Sequence, residues 1–527
     1  MSQHSKADPN SLAMSGAWGV LPDDNTAELP AYSRHKLRAG DVIDGFILDE
    51  KLHVGGMAVL WAVRRQVPVA GEPALLMKVP ILTRDEDPTA IVGFEQEQMI
   101  MPVLKGRHVP LFIAQGDFST QPYIVMERLS GSTLMRQRER APIALGDVVR
   151  IGAKVATALH ALHKQGVIHL DIKPSNILFR PPDAHSGADQ GGEFDGDAVL
   201  IDFGLSRHMH MPDLLAEEFR IPMGTAPYIS PEQVMGVRHT LASDVFSLGV
   251  MLYLFTTGEY PFKNTGSARE LRKRLYKAPV PPRLLRSDCP AYLQEIILRC
   301  LEIPLDARYS TAAQLAFDLQ HPEGVELTAR ALQNTTTPAW QQLLHWFKAL
   351  SNTPSLPQAI AAQINQAPII MVAVDVSKRH TALANALRPV VLQLMQANPQ
   401  ARLACVTVLK TSLIAVDDAL DAQGNNRHVK RLVWLKHWAR ALCAPAPDPQ
   451  GGKDRPTLAP QRLTYHVIEG SDPAASIITY AQRNQVDHLI IGSRGSGALR
   501  QYLGSVSTQV VAQAGCTVTV VKLPSDT

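Results

Sequence analysis

The stretch "VIHLDIKPSN", residues 167–176, decides how the first half of this chain is read. Two apolar residues lead into a run that presents a carboxylate at Asp171, an amine at Lys173 and an amide at Asn176. That set suits phosphoryl transfer, which asks little covalent chemistry of a protein but requires phosphates and metal to be positioned and a nucleophile oriented. Asp171 can accept the proton of an attacking hydroxyl, and Asn176, five residues on, can bind metal from the same loop. Working outward, Asp202 in "LIDFG" follows an apolar run and can hold a second metal position. Lys78 closes the run "ALLMK" and can reach phosphates, and Glu97 in "FEQEQ" can pair with it from the next helical stretch. A lone lysine on a strand is usually a solvated side chain, and "DFG" alone occurs by chance. The joint order carries the reading.

On these residues, positions 36–322 resemble a Ser/Thr protein kinase of the bacterial, eukaryotic-like type. The resemblance implies an α+β two-lobed fold, ATP and Mg2+ as cofactors with the metal at Asn176 and Asp202, and a protein substrate. It places "IVMERLSGSTL" at the hinge, with Met126 as gatekeeper and Glu127 at the adenine edge, and "GTAPYISPE" where a peptide is received. It gives Asp244 the task of steadying the catalytic loop and pairs Arg308 with Glu232, while Lys173 follows the Ser/Thr rather than the Tyr pattern.

Two departures matter. Where the family has G-x-G-x-x-G-x-V, this chain reads "HVGGMAVL", keeping Gly55 and Gly56 but placing His53 and Ala58 at the outer positions, where side chains hinder close approach of phosphate. And Leu170 stands where the family's arginine pairs with a phosphorylated activation segment. The stretch from Arg207 to Gly224 contains no Ser, Thr or Tyr, so neither half of that switch exists. Glu217 and Glu218 in that stretch are expected to lie in a solvated loop. The alternatives are a pseudokinase scaffold that binds nucleotide and recruits partners, and a small-molecule kinase, which would lack the peptide-receiving segment.

The 527 residues are 45% hydrophobic and 19% charged, enough apolar side chain for two domains. Net charge is +3 with Lys and Arg scattered, which argues against nucleic-acid binding. Five widely separated cysteines with no paired spacing suggest a reducing compartment and no structural zinc. The start lacks a signal-peptide pattern, and the most apolar run, residues 245–257, is shorter than the ~20 residues that span a bilayer. A cytoplasmic, membrane-free protein is expected. Residues 1–35 read as a disordered tail and 323–365 as a linker, with Gly/Asp-rich and Pro/Gly-rich insertions at 181–198 and 444–461.

From 366 to 527 apolar β-branched runs alternate with helical stretches, the pattern of an α/β doubly wound parallel sheet. Asp375 ends the first strand, and "GSRGSGALRQYLGSVSTQ" follows the strand "DHLII". Gly492 and Gly495 let backbone turn close to a ligand, while Gly504, Ser505 and Ser507 open a helix whose free N–H groups attract phosphate. This region resembles a universal stress protein domain of the ATP-binding class, whose pattern is G-x2-G-x9-G-(S/T); here only eight residues separate Gly495 from Gly504. The resemblance implies a bound adenine nucleotide, a regulatory or sensing role, and a homodimer formed through this domain.

Overall fold

The computed structural model describes residues 37–81, 88–118, 120–180, 194, 196–219, 221–263, 266–335, 368–376, 381–411, 426–444, 458–493 and 504–523. The 1–35 tail and most of the two insertions and of the 323–365 linker lie outside them.

Short runs of alternating burial build the first sheet: β1 (Val42–Ile43), β2 (Phe46–Val54), β3 (Ala58–Arg65), β4 (Leu75–Pro80), β5 (Phe112–Gly116) and β6 (Tyr123–Glu127). They pair antiparallel in the order β1-β2-β3-β4-β6-β5. One face buries Phe46, Leu48, Trp61, Val63, Leu75, Met77 and Val125. Helix α1 (Pro88–Ile100) packs Ile91, Phe94 and Ile100 into a second cluster that includes Ile124 and Met126 of β6.

Beyond residue 145 helices dominate, as the spacing predicts: α2 (Leu145–His163), α3 (Leu214–Glu218), α4 (Ala242–Thr257), α5 (Ala291–Cys300) and α6 (Ala312–Gln320). The apolar run 245–257 belongs to α4, which is buried on every side from Ser243 to Thr256, as a helix without a polar face must be. Two small ribbons matter most for function. β7 (Val167–Ile168) pairs with β10 (Arg207–His208), and β8 (Ile177–Phe179) pairs with β9 (Ala198–Leu200). The 169–176 loop therefore leaves β7 and enters β8, while the 201–206 loop leaves β9 and enters β10, so the loops that hold Asp171 and Asp202 are fixed side by side. Residues after 322 continue along α5: Glu295 pairs with Arg330 at 2.8 Å, and Ala331 is fully buried.

The C-terminal half is a five-stranded, wholly parallel sheet of β11 (Ile369–Ala373), β12 (Arg402–Lys410), β13 (Leu463–Gly470), β14 (His488–Ser493) and β15 (Thr517–Lys522). Its order is β13-β12-β11-β14-β15. Successive side chains of β11 point to opposite faces. Ile370 and Val372 meet α7 (Thr381–Ala397) and α8 (Arg427–Cys443), whereas Met371 and Ala373 meet α9 (Pro473–Arg483) and α10 (Ser505–Gln513). The two halves share one apolar cluster, because Leu409, Val429, Leu432, Val433 and Val467 join the group that contains Phe94 and Phe118.

Candidate active site and nucleotide cavity

Antiparallel pairing sets Lys78 opposite Leu60 on one side and Ile124 on the other, which aims its ammonium across the cleft between the lobes. There Lys78 Nζ lies 2.6 Å from Glu97 Oε2 and 2.9 Å from Asp202 Oδ1. Burial alone would lower the Lys78 pKa, but the charges of Asp202 and Glu97 outweigh it and raise it. Lys78 in turn holds the Asp202 carboxyl down to about 2, so both stay charged at neutral pH. The backbone N–H of Phe203 donates to Glu97 Oε1 at 3.3 Å, tying α1 to the Asp202 loop. That approach is close: a Cβ on Gly93 would meet the carbonyl oxygen of Gly204 at 2.9 Å.

In the neighbouring loop, Asp171 Oδ1 accepts from the N–H and hydroxyl of Thr225 at 3.0 and 2.7 Å. Lys173 Nζ reaches Asp171 Oδ2 at 2.6 Å and donates to Thr225 Oγ1 at 2.7 Å. Asn176 Nδ2 donates to the Asp171 carbonyl at 3.0 Å, which turns its amide oxygen away from Asp171. Beneath the loop, Asp244 is fully buried and accepts from the N–H groups of His169 and Leu170, both at 2.8 Å, and from His163 Nε2 at 2.9 Å. This is the steadying role the resemblance implied. Arg308 and Glu232 also pair as expected, through two contacts of 2.8 and 3.0 Å. Leu170 is 2% exposed with φ 62°, and its carbonyl accepts from Gln233 Nε2 at 2.8 Å, so this position props the short helix Pro231–Val234 through backbone.

Gly55 and Gly56 form the tip between β2 and β3, closed by the Gly55 N–H donating to the Ala58 carbonyl at 2.9 Å. Open space surrounds the position of a Cβ on Gly56. Met126 is buried at the back of the cleft, and the Glu127 side chain turns to Arg180, accepting from its Nη2 at 2.7 Å. The donors suit a hard cation in kind: Asp202 is anionic with a side chain 47% exposed, and Asn176, whose backbone carbonyl accepts from the Ile201 N–H at 3.0 Å, carries an amide oxygen in the adjoining loop that accepts from the Ser175 hydroxyl at 3.1 Å.

The activation stretch departs from the solvated loop expected of it. Asp213 accepts from the N–H of Ala216 as the cap of α3 and from Arg238 Nε at 2.9 Å, while Gln96 of α1 accepts from the Leu214 N–H at 2.9 Å. Glu217 and Glu218 are partly buried residues whose side chains are largely enclosed, 11% and 3% exposed. Their partners come from the other half of the chain: Arg402 Nη2 reaches Glu217 at 2.6 Å, and His466 Nδ1 lies 3.0 Å from Glu218. The expectation failed because the residues that bury these carboxylates stand some 180 to 250 positions away, beyond any local pattern. The acidic pair itself, in a segment without hydroxyls, was the only sequence signal.

In the C-terminal half the strand ends open on a cavity of about 610 Å³. Asp375, Gly492, Gly504 and Ser505 all line it, as does Ser507, whose hydroxyl donates to the Gly504 carbonyl at 2.9 Å. Gly495 lies outside the described residues. Lys410 and Arg431, which the sequence reading missed, also face the cavity, with Arg431 4.0 Å from Asp375. Gly492 serves packing: a Cβ there would meet Leu383 of α7 at 2.8 Å.

Residues 78–321 match the protein kinase domain, and residues 368–522 match the universal stress protein family. The chain joins a kinase domain to a stress protein domain. The kinase match opens at Lys78, after the altered glycine turn. The serine/threonine-protein kinase PknB of Mycolicibacterium smegmatis is 31% identical over 281 residues, 52% of this chain and 42% of the relative. A probable serine/threonine-protein kinase of Clostridium acetobutylicum is 27% identical over 276 residues, 52% and 39%. Kinase PkaA of Streptomyces coelicolor is 29% identical over 328 residues, 60% and 56%. The chain thus spans between 39% and 56% of the length of these relatives. Among the described residues no helix is long and apolar enough to cross a membrane.

Proposed function

We propose that this chain is an ATP-dependent protein-serine/threonine kinase whose stress domain binds an adenine nucleotide and regulates or senses. The observation that carries the reading is the convergence of Glu97 and Asp202, from separate elements, on Lys78. In this mechanism Lys78 binds the non-transferred phosphates, and Asp171 accepts the proton of the substrate hydroxyl. Lys173 and Thr225 hold Asp171 in place, while Asn176 and Asp202 would hold Mg2+, which supplies charge neutralisation on the phosphates. Gly55 and Gly56 cover the phosphates, with weaker ATP binding expected from the side chains at His53 and Ala58.

In the stress domain, Asp375 at the end of β11 suits the adenosine, and Gly504, Ser505, Arg431 and Lys410 suit phosphate. Helix α8 carries Arg431 at the cavity and Leu432 and Val433 against the kinase half, a physical basis for sensing. A second copy would pair along β15, the sheet edge opposite β13. The cell compartment we infer is the cytoplasm, consistent with five cysteines all present as free thiols. The test is incubation of the purified chain with labelled ATP and Mg2+, with and without a generic basic protein, beside Asp202→Ala. Label on protein in the wild type alone supports the reading; equal labelling sinks it, and no labelling with retained nucleotide binding favours the pseudokinase scaffold.

A further inference from the structure

The activation stretch and α1 are both gripped by the stress domain through charge. Glu217 accepts from Arg402 Nη2 at 2.6 Å and from the Tyr480 hydroxyl at 3.1 Å, and its backbone carbonyl accepts from Asn484 Nδ2 at 3.3 Å. His466 is fully buried between the two carboxylates, 3.2 Å from Glu217 and 3.0 Å from Glu218. On α1, Glu95 meets Lys436 of α8 at 2.6 Å, with the Lys436 ammonium also over the rings of Phe118 and Tyr465. Burying carboxylates costs several kcal/mol unless cations meet them. Here the basic side chains that meet Glu217, Glu218 and Glu95, which are Arg402, His466 and Lys436, sit on β12, β13 and α8, all in the stress domain.

Both gripped elements set the catalytic parts. Glu95 lies two positions from Glu97, the partner of Lys78, and Gln96 between them holds the start of α3. From α3 the chain runs on to Thr225, which touches Asp171. In kinases with the arginine before the catalytic aspartate, phosphate on this segment supplies the anion and that arginine the cation. Here Leu170 removes the cation, and the segment carries the built-in acidic side chains Glu217 and Glu218 in place of an added phosphate.

Resting on the kinase reading above, we propose that Arg402, His466 and Lys436 of the stress domain are positioning residues for phosphoryl transfer: docking of that domain on Glu217, Glu218 and Glu95 replaces activation-segment phosphorylation. Catalytic competence then depends on the second domain being in place.

The test uses the full chain and steady-state kinetics on a generic basic protein. Arg402→Glu sets like charges against Glu217, and Glu217→Arg does the reverse; each should lower kcat at least tenfold while ATP affinity changes less than threefold. The double variant, with the charges exchanged, should recover kcat to within about threefold of wild type. A Lys436→Gln variant, which leaves α3 untouched, should lower kcat severalfold when assayed well below its own melting temperature, with ATP affinity changed less than threefold. Wild-type kcat in Arg402→Glu and Lys436→Gln would overturn the proposal, as would loss of activity with no recovery in the charge exchange. Labelling by wild type no greater than by Asp202→Ala is a different result: it removes the kinase reading first.

Discussion

Gly93→Ala separates folding from catalysis at one atom. A Cβ at this position would stand 2.9 Å from the Gly204 carbonyl oxygen, where ordinary contact begins at 3.4 Å, so about 0.5 Å must be taken up. The obstacle is backbone, which cannot swing aside as a side chain would. Either α1 or the Asp202 loop moves. Overpacking of this kind costs ~1–3 kcal/mol, while exchanging glycine for alanine inside a helix returns about 1 kcal/mol of propensity. The two nearly offset, leaving a loss of roughly 0–2 kcal/mol and a melting temperature within a few degrees of wild type. Catalysis has no such compensation. Glu97 is one helical turn from Gly93, and its 2.6 Å contact with Lys78 stretches when α1 retreats. Since a misplacement of about 1 Å can cost ~100-fold, half that displacement should cost about tenfold in kcat. Initial rates with labelled ATP, read beside thermal unfolding of the same preparation, make the comparison. Wild-type kcat at wild-type melting temperature would refute the reasoning.

Lys78→Met and Asp202→Ala should each abolish label transfer to protein with near-native circular dichroism, because both act on phosphate or metal rather than on packing; wild-type rates in both would remove the site. Asp244→Asn should cost roughly 1–3 kcal/mol by leaving buried donors poorly paired. Burial works to raise the Asp244 pKa, but the hydrogen bond and charge of His163 win and lower it below its ordinary 3.8. Its contribution is therefore present above pH 3.8 and lost as pH falls through the folded value, so the stability gap to Asn should be widest at neutral pH and narrow in acid. Phosphatase treatment should leave activity unchanged: Ser206 is fully buried and donates to the His169 carbonyl, and Thr225 is engaged with Asp171, so a large loss on dephosphorylation, reproduced by Ser206→Ala, would expose a switch that this geometry excludes. Gly504→Val should weaken nucleotide binding at the stress domain in calorimetry with little change in melting temperature, whereas Gly492→Val should lower the melting temperature too, through Leu383; equal behaviour of the two would contradict the packing role of Gly492.

The candidate catalytic residues could be picked out because their chemistry is written in short contiguous motifs, and ribbons such as β7 with β10 bring the loops that carry them together. The parallel sheet was legible for a similar reason, since apolar runs such as "IIMVA" are buried on both faces wherever helices alternate with strands. Glu217 and Glu218 show where this stops. A glutamate pair in a polar stretch looks solvated unless one knows that Arg402 and His466 will arrive from another domain, and no residue spacing encodes that meeting. Gly93 is a different case: a glycine inside a helix carries no mark of its purpose, and its reason, the carbonyl of Gly204, lies more than a hundred positions away. Asp213 belongs to the same class, its value set by Arg238.

The apolar cluster common to both halves bears on how the chain is made. Val467 follows Phe94 by 373 positions, and at a synthesis rate of ~5–20 residues per second that gap lasts roughly 20–75 s. During that interval the kinase-half members of the shared cluster lack their stress-domain partners, and apolar surface left open in this way can stick to other unfinished chains or recruit a chaperone. Only when Leu409, Val429, Leu432, Val433 and Val467 have left the ribosome can that surface close. A fragment ending before residue 366 would keep that unfinished surface permanently, so its poor solubility, rather than lost chemistry, is what a truncation experiment would meet first.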